Sequence, residues 1–374
     1  MRELSKPVFV AIDPAATEAD LIARYEAKSG KTLYPAQIER LFIDQIAYAT
    51  TGLQMSIQNA GEQLLVRFAT GAILDYLGEL VDTPRLLAVA GRCTLRFTLK
   101  VAATQPRLIP AGTRVATQDS NVAFLTDEDV VIPAGQTQIN VTASCSTAGI
   151  IGNGWAVGQI SAISDPALSA DLMVANVTVS ADGAEDEDDD RYRARIILAP
   201  EAFSNAGSRG AYRYHAMSVH QSIIDVAVHG PAEGQEPGHV ALFPLTTTGL
   251  PSADLLQRML THVGGEKVRP LCDTVHAWPP VEVNYSIKAT IVFFQTAVRE
   301  TVMSQVKVAA ETFARGLKAG LGADIIPEQL IAALQVAGVY RAYVQMPVLP
   351  REVLSHEWAV CTSIELIDGG TSND

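Results

Sequence analysis

The residues best able to do chemistry are an acidic run, a glycine-rich segment, seven histidines and four cysteines. The acidic run reads Asp182-Gly-Ala-Glu-Asp-Glu-Asp-Asp-Asp190, and Arg191, Arg193 and Arg195 follow it. A calcium loop of the EF-hand type needs glycine at its sixth position and glutamate at its twelfth, and nothing here fits that register. Six consecutive acids from Glu185 to Asp190 also cannot all face one ion. Carboxylates ahead of a helix complement its dipole, and i,i+4 spacing pairs Glu187 with Arg191 and Asp189 with Arg193. The run is therefore expected to open a helix, with a weak cation site as the alternative.

Gly149-Ile-Ile-Gly152-Asn153-Gly154-Trp155-Ala-Val-Gly158 looks like a dinucleotide fingerprint, but its last glycine falls one position late. It sits among short strands, so a loop with positive φ at several glycines is expected, with Trp155 as a packing or interface residue. His356-Glu357 begins like a zinc-protease helix, yet Val360 stands where the second histidine should be. His215 and His220 are five apart, which misaligns two ligands on a helix. These two and His229, His239, His262 and His276 read as partly exposed surface histidines. Cys93, Cys145, Cys272 and Cys361 are far apart, with no CxxC pair for zinc and no disulfide framework. Cys93 lies in strand-like alternation and reads as a buried free thiol. No G-x-S-x-G elbow or cysteine-nucleophile signature is present. No catalytic set, metal site or cofactor site assembles from these residues.

Helices come first among the elements that carry them. Thr17 is placed to cap a helix over 18–28, with Gly30 closing it. Pro35 opens a second, whose apolar stripe is Ile38, Leu41, Phe42, Ile46, Ala49, Leu53 and Ile57. Continued to about Phe68, this helix would be roughly 50 Å long, although Thr50-Thr51-Gly52 could split it. A third spans 72–81. From Cys93 the period becomes two, through Leu95, Phe97, Leu99 and Val101. Two similar turns, Ile109-Pro110-Ala111-Gly112 and Ile132-Pro133-Ala134-Gly135, place proline second and glycine at the turn exit. Short strands are expected at 114–115, 122–125, 138–144 and 174–180. Beyond the acidic run come a helix near 212–219, strands at 223–228 and 240–243, and a helix capped by Ser252. The last segment reads as strand 281–291, helix 299–317, helix from Pro327, and strands at 339–346 and 357–367. Both helices are expected on one face of the sheet.

At about 150 residues per domain, 374 residues make two or three domains. With 48% hydrophobic residues the chain is not disordered, and no run of about 18 apolar residues would span a membrane. A net charge of −13 and the absence of a Lys/Arg block argue against free nucleic-acid binding. Met1 to Pro7 shows no secretory signal, so a cytoplasmic, reducing origin is expected. Charged residues make up 18%, against the usual ~25%, and mean hydropathy is +0.16. So little charge implies either an unusually large core or large faces covered by neighbouring subunits. The second is expected, because Ala, Thr, Gln and Gly fill many positions where a solvated surface would carry Lys or Glu.

In order along the chain, several segments resemble the baseplate J-like family of contractile tails and related injection particles. They are Gly71-Ala-Ile-Leu-Asp75-Tyr-Leu-Gly78 with Arg85, the two Ile-Pro-Ala-Gly turns, Val122-Ala-Phe-Leu-Thr126 and the Gly149–Gly158 loop. Gly183 with the acids ahead of Arg191 and Arg195 continues the match. Asn205 to Tyr212 matches only approximately, with Ala206-Gly207-Ser208-Arg209 in place of the family's GT step. The resemblance covers about residues 70–370.

It implies a non-enzymatic wedge subunit that helps form a ring around a central hub and transmits the trigger for sheath contraction. Its partners would be a second copy of itself, a second baseplate wedge protein through the N-terminal helices, and sheath-initiator and hub proteins, with no nucleic acid and no membrane. Such a subunit would be assembled in the bacterial cytoplasm and built into the tail or particle. The expected fold is multidomain α+β: a helical arm (1–90), a short-stranded β domain (91–180), an α+β middle domain (181–280) and a C-terminal α+β module (281–374). Ile38, Leu41, Phe42, Ile46 and Trp155 are the candidate interface residues. A receptor-binding or adhesin-type tail protein rich in β structure is the alternative.

Overall fold

A computed structural model describes residues 5–102, 104–118, 121–203, 207–266 and 268–372. The fold is multidomain α+β, in two compact units. One comprises Met1–Pro84 with Tyr192–Ile197; the other comprises Arg85–Arg191 with Leu198–Asp374.

In the first unit, helix α1 spans Pro14–Ser29 and starts earlier than Thr17 predicts. Asp13 is the cap, accepting from Ala16 N–H at 3.0 Å, and Pro14 takes the first turn, where a missing N–H costs nothing. Gly30 closes the helix in the left-handed region, as expected. Helix α2, Ile38–Gln63, begins three residues after Pro35 because Ala36 turns the chain at φ 70°. It runs unbroken through Thr50-Thr51-Gly52. The Thr50 and Ser56 hydroxyls bond back to the carbonyls of Ile46 and Gly52, which satisfies them inside the helix. Its 26 residues make about 39 Å, shorter than the 50 Å expected. Helix α3 follows at Gly71–Glu79.

Ala69, Leu74, Tyr192 and Ile196 form this unit's small core, so residues 192–197 return to complete it. Tyr192 Oη donates to the Thr83 carbonyl at 2.7 Å. Arg193 donates to the carbonyls of Val66 and Ala69, and Arg195 to that of Pro84. Gly78 lies under Tyr192, where a Cβ would collide with the phenol oxygen.

The second unit starts with strands β1 (Ala90–Leu99), β2 (Arg107–Ile109), β3 (Arg114–Thr117), β4 (Ala123–Thr126), β5 (Val130–Ile132), β6 (Gln138–Ala148) and β7 (Ile160–Ile163). A one-turn helix α4 (Pro166–Ser169) and strand β8 (Leu172–Asn176) complete this part. Six strands pair antiparallel in the order β7-β3-β4-β6-β1-β8, while β2 and β5 pair separately. The edges meet: Gly158 N–H donates to the Asn176 carbonyl at 3.0 Å, and Ile160 N–H to Asn176 Oδ1. The sheet therefore curls around Leu95, Phe97, Val115, Phe124, Val141, Ile160 and their neighbours. Val101 lies past the end of β1 and is exposed, and the strand expected at 174–180 sits at β8 instead. The repeated turns also differ in register. Thr113 N–H reaches the Pro110 carbonyl and Gln136 N–H that of Pro133, so proline is first and glycine third. Gly112 and Gly135 have φ of 75° and 84°, the type II arrangement.

Next come α5 (Asp189–Leu198), α6 (Arg209–Met217), β9 (Ile223–His229), β10 (His239–Thr246), α7 (Ala253–Val263) and β11 (Thr274–Ala277). Asn205 and Ala206 lie outside the described residues. Ser252 caps α7 as expected, accepting from Leu255 N–H. The three strands are ordered β11-β10-β9, and Tyr212, Met217, Leu255 and Met259 pack on them. The last elements are β12 (Val281–Phe294), α8 (Arg299–Lys318), α9 (Pro327–Leu334), β13 (Val339–Met346) and β14 (Glu357–Ser372), with sheet order β13-β12-β14. Alternate residues of β12, from Val283 to Phe293, form one core with Val302, Val306, Ala310, Leu330 and Leu334. Both helices thus cover one face. Ala310 is the buried alanine of α8.

Candidate assembly interface

The acidic run opens α5, as expected, and its carboxylates also clasp the backbone around it. Asp188 caps α5, its Oδ1 accepting from the N–H groups of Asp190 and Arg191. Glu185 accepts from Ile150 N–H, Asp186 from Ala88 N–H, and the buried Glu187 from Leu86 N–H. Glu187 stands 3.7 Å from Arg191, the pair expected from i,i+4 spacing. Asp189 also pairs with Arg85 at 2.7 Å, and Arg193 donates to the carbonyls of Val66 and Ala69. The clasp lines a cavity of about 610 Å³ that Ser180, Gln221 and Ser252 also border. Among the described residues no cluster of three potential ligands can hold a metal ion.

The glycine segment has a steric purpose. A Cβ on Gly183 would meet the Gly149 carbonyl at 2.5 Å, and one on Gly152 would meet Cys145 Cβ at 2.7 Å. Asn153 locks the loop by exchanging two hydrogen bonds with the Gly183 backbone, 2.7 and 2.8 Å long. Trp155 is half-buried against the β-domain core, its indole N–H donating to the Ile151 carbonyl, while Ile150, Ile151 and Val157 beside it are exposed.

The histidines are not uniformly partly exposed, as expected from sequence: His220 and His229 are buried. His215 and His220 do not pair. His215 faces His262 at 6.2 Å between ring centroids, and His220 bonds Ser222 Oγ and the Asp182 carbonyl. His239 Nδ1 and His276 Nε2, on neighbouring strands, lie 2.9 Å apart. His356 faces His229 and Phe243, not a metal partner. Burial lowers the pKa of His215, His220, His229 and His262, which favours neutral rings. Cys93 and Cys145 are buried free thiols, and burial pushes Cys93 up to about 12. A thiol so held is no nucleophile at neutral pH.

The apolar stripe of α2 is the surface that stands out. Ile38, Leu41, Phe42 and Ile46 are 69%, 57%, 67% and 53% exposed, and Leu53 and Ile57 extend the same face. The buried side of α2 is Ile43 and Ala47 instead. Tyr48 and Met55, seven and fourteen residues after Leu41, are also exposed and widen the stripe along that edge. Arg40 ties α2 to α1 through Glu18 at 2.6 Å. Large exposed apolar faces are uncommon on monomeric proteins, which makes this stripe the candidate interface.

Three family descriptions match along the second unit: the Baseplate J-like protein barrel domain over residues 94–183, the Baseplate J-like central domain over 204–279 and the Baseplate J-like protein C-terminal domain over 285–367. The chain belongs to the baseplate J-like family. It is 32% identical over 187 residues to Baseplate protein J of Escherichia phage P2, an alignment covering 50% of this chain and 60% of that protein. A cryo-EM structure of the anti-feeding prophage (AFP) baseplate, 6-fold symmetrised, aligns over 94% of this chain and 90% of that one, at 12% identity and a TM-score of 0.43.

Proposed function

We propose that the chain is a structural wedge subunit of a contractile-tail or injection-particle baseplate, acting through its interfaces and not through catalysis. Family membership supports the baseplate assignment, and the P2 relative is itself named a baseplate protein. The observation that carries the interface reading is the solvent-facing stripe of α2. Among the described residues α2 buries Ile43 and Ala47, on the side away from the stripe, and leaves Ile38, Leu41, Phe42 and Ile46 more than half exposed. The proposed occupant is a helix of a second wedge protein. A second copy of the chain and the sheath-initiator and hub proteins would complete the contacts, with Trp155 and the C-terminal sheet meeting neighbours. The subunit would be made in the bacterial cytoplasm, help close a ring around the hub and pass on the trigger for sheath contraction.

Replacing both Leu41 and Phe42 by Asp tests the interface. The variant chain should stay soluble with an unchanged melting temperature, because both side chains already face water. Particles should fail to assemble around it when it replaces the native chain in producing cells. Normal particle yield, counted by electron microscopy, would remove the proposal.

A further inference from the structure

We propose that the contact between β9–β10 and the segment leading into β14 is a proton-operated seam, held at neutral pH and loosened when His229 and His356 are both protonated. The seam is small and polar. His229 Nε2 lies 2.8 Å from Ser355 Oγ, and alongside it the N–H of Leu321, in the connection between α8 and α9, donates to Asp225 Oδ2 at 3.0 Å. The two imidazoles meet edge to face with centroids 5.0 Å apart, and both lean on Phe243 at 4.9 and 5.1 Å. His356 Nδ1 is buried with no hydrogen-bond partner among the described residues. A proton there would create a buried N–H with nothing to receive it.

Neutral rings suit this packing, and two imidazolium ions at that separation repel. Most nearby carboxylates are engaged elsewhere. Asp225 on β9 pairs with Arg213 of α6 at 2.7 Å, and Glu233 accepts from Arg209 and from Gly230 N–H. On the segment bearing His356, Glu357 faces Arg351 and accepts from Leu354 N–H, while Glu352 is exposed. None of these carboxylates accepts a hydrogen bond from either ring among the described residues, so neither imidazolium would gain a direct partner. Burial, then the His356 ring, lowers the affinity of His229 for its proton, although Glu233 opposes this.

Backbone hydrogen exchange of the full chain, at pH 7.5 and pH 5 and corrected for intrinsic rates, tests the seam. The Leu321 amide and those of residues 351–356 should lose about tenfold in protection at pH 5, while amides in α8 and in the middle of β12 keep theirs. His356→Gln should keep the pH 7.5 pattern and abolish most of the acid response. His229→Gln should do the same, and either variant suffices if the other fails to fold. Equal protection of these amides at both pH values, or an undiminished acid response in the variants, would overturn the proposal.

Discussion

Glu187 sits in a run of six acids, where water would be the usual neighbour, yet its side chain is fully buried. What keeps it there is a donor set the sequence does not display: the Leu86 N–H and the Arg191 guanidinium. Arg191 in turn donates to the carbonyls of Met217, His220 and Gln221, tying the start of α5 to the end of α6. Helix-dipole reasoning therefore recovered the Glu187–Arg191 pair but missed its purpose, because the backbone partners are about 100 residues away in sequence. Removing one member of a buried pair leaves the other uncompensated, so Glu187→Ala should cost about 3 kcal/mol, read as a fall in the denaturation midpoint. A midpoint indistinguishable from that of the native chain would contradict this. Cysteine behaviour is equally local. Cys272 is exposed and Cys93 is buried with its pKa near 12, so at pH 8 iodoacetamide should alkylate Cys272 within minutes. Cys93 should stay unmodified by mass spectrometry until the chain is unfolded.

At the level of elements, the most legible parts were those whose period is long and unbroken. The C-terminal strand–helix–helix–strand–strand order was readable because β12 alternates over fourteen residues and α8 carries an apolar face over twenty. Short strands such as β7 and β11, of four residues each, offer too few repeats to show a period and were missed. Helix α2 was readable as an apolar stripe, though sequence alone leaves open whether such a stripe faces a core or a partner. In this chain the stripe is exposed and outside the core, and the turn at Ala36 explains why Pro35 is not its first residue. The glycine segment shows the same limit. Its spacing marked a loop, while the reason for Gly152 and Gly183 is close approach to Cys145 and to the Gly149 carbonyl. Gly183→Ala should therefore destabilise the β domain by about 1–3 kcal/mol, the usual cost of overpacking, even though Gly183 has no positive φ that alanine would have to adopt. Circular dichroism melts of the variant would check it, and an unchanged melt would show that the loop can shift to make room.

For the whole molecule, the titrating groups set the order in which stability is lost in acid. His215, His220, His229 and His262 all have pKa values below the ordinary 6.5, chiefly because burial disfavours the charged ring. An unfolded chain then binds more protons than the folded one below about pH 6.5, so stability rises with pH through that window and is fully present above it. Carboxylates act later. Hydrogen bonds from Gln58 and Lys6 hold Glu62 below 4.5, and the Gly230 N–H and Arg209 do the same for Glu233. For Asp127, burial pulls upward but Ser144 and Arg92 outweigh it, leaving the pKa below 3.8. Their contribution is present above their unfolded values and disappears as pH falls through the folded ones. The melting temperature should therefore be level from pH 8 to about 7, fall first between roughly 6.5 and 5, and fall again below about 4.5. Differential scanning calorimetry across pH 8 to 3.5 measures this directly. A curve that stays level down to pH 5 would mean that the buried imidazoles take up protons in the folded chain as readily as in the unfolded one, contrary to the packing around them.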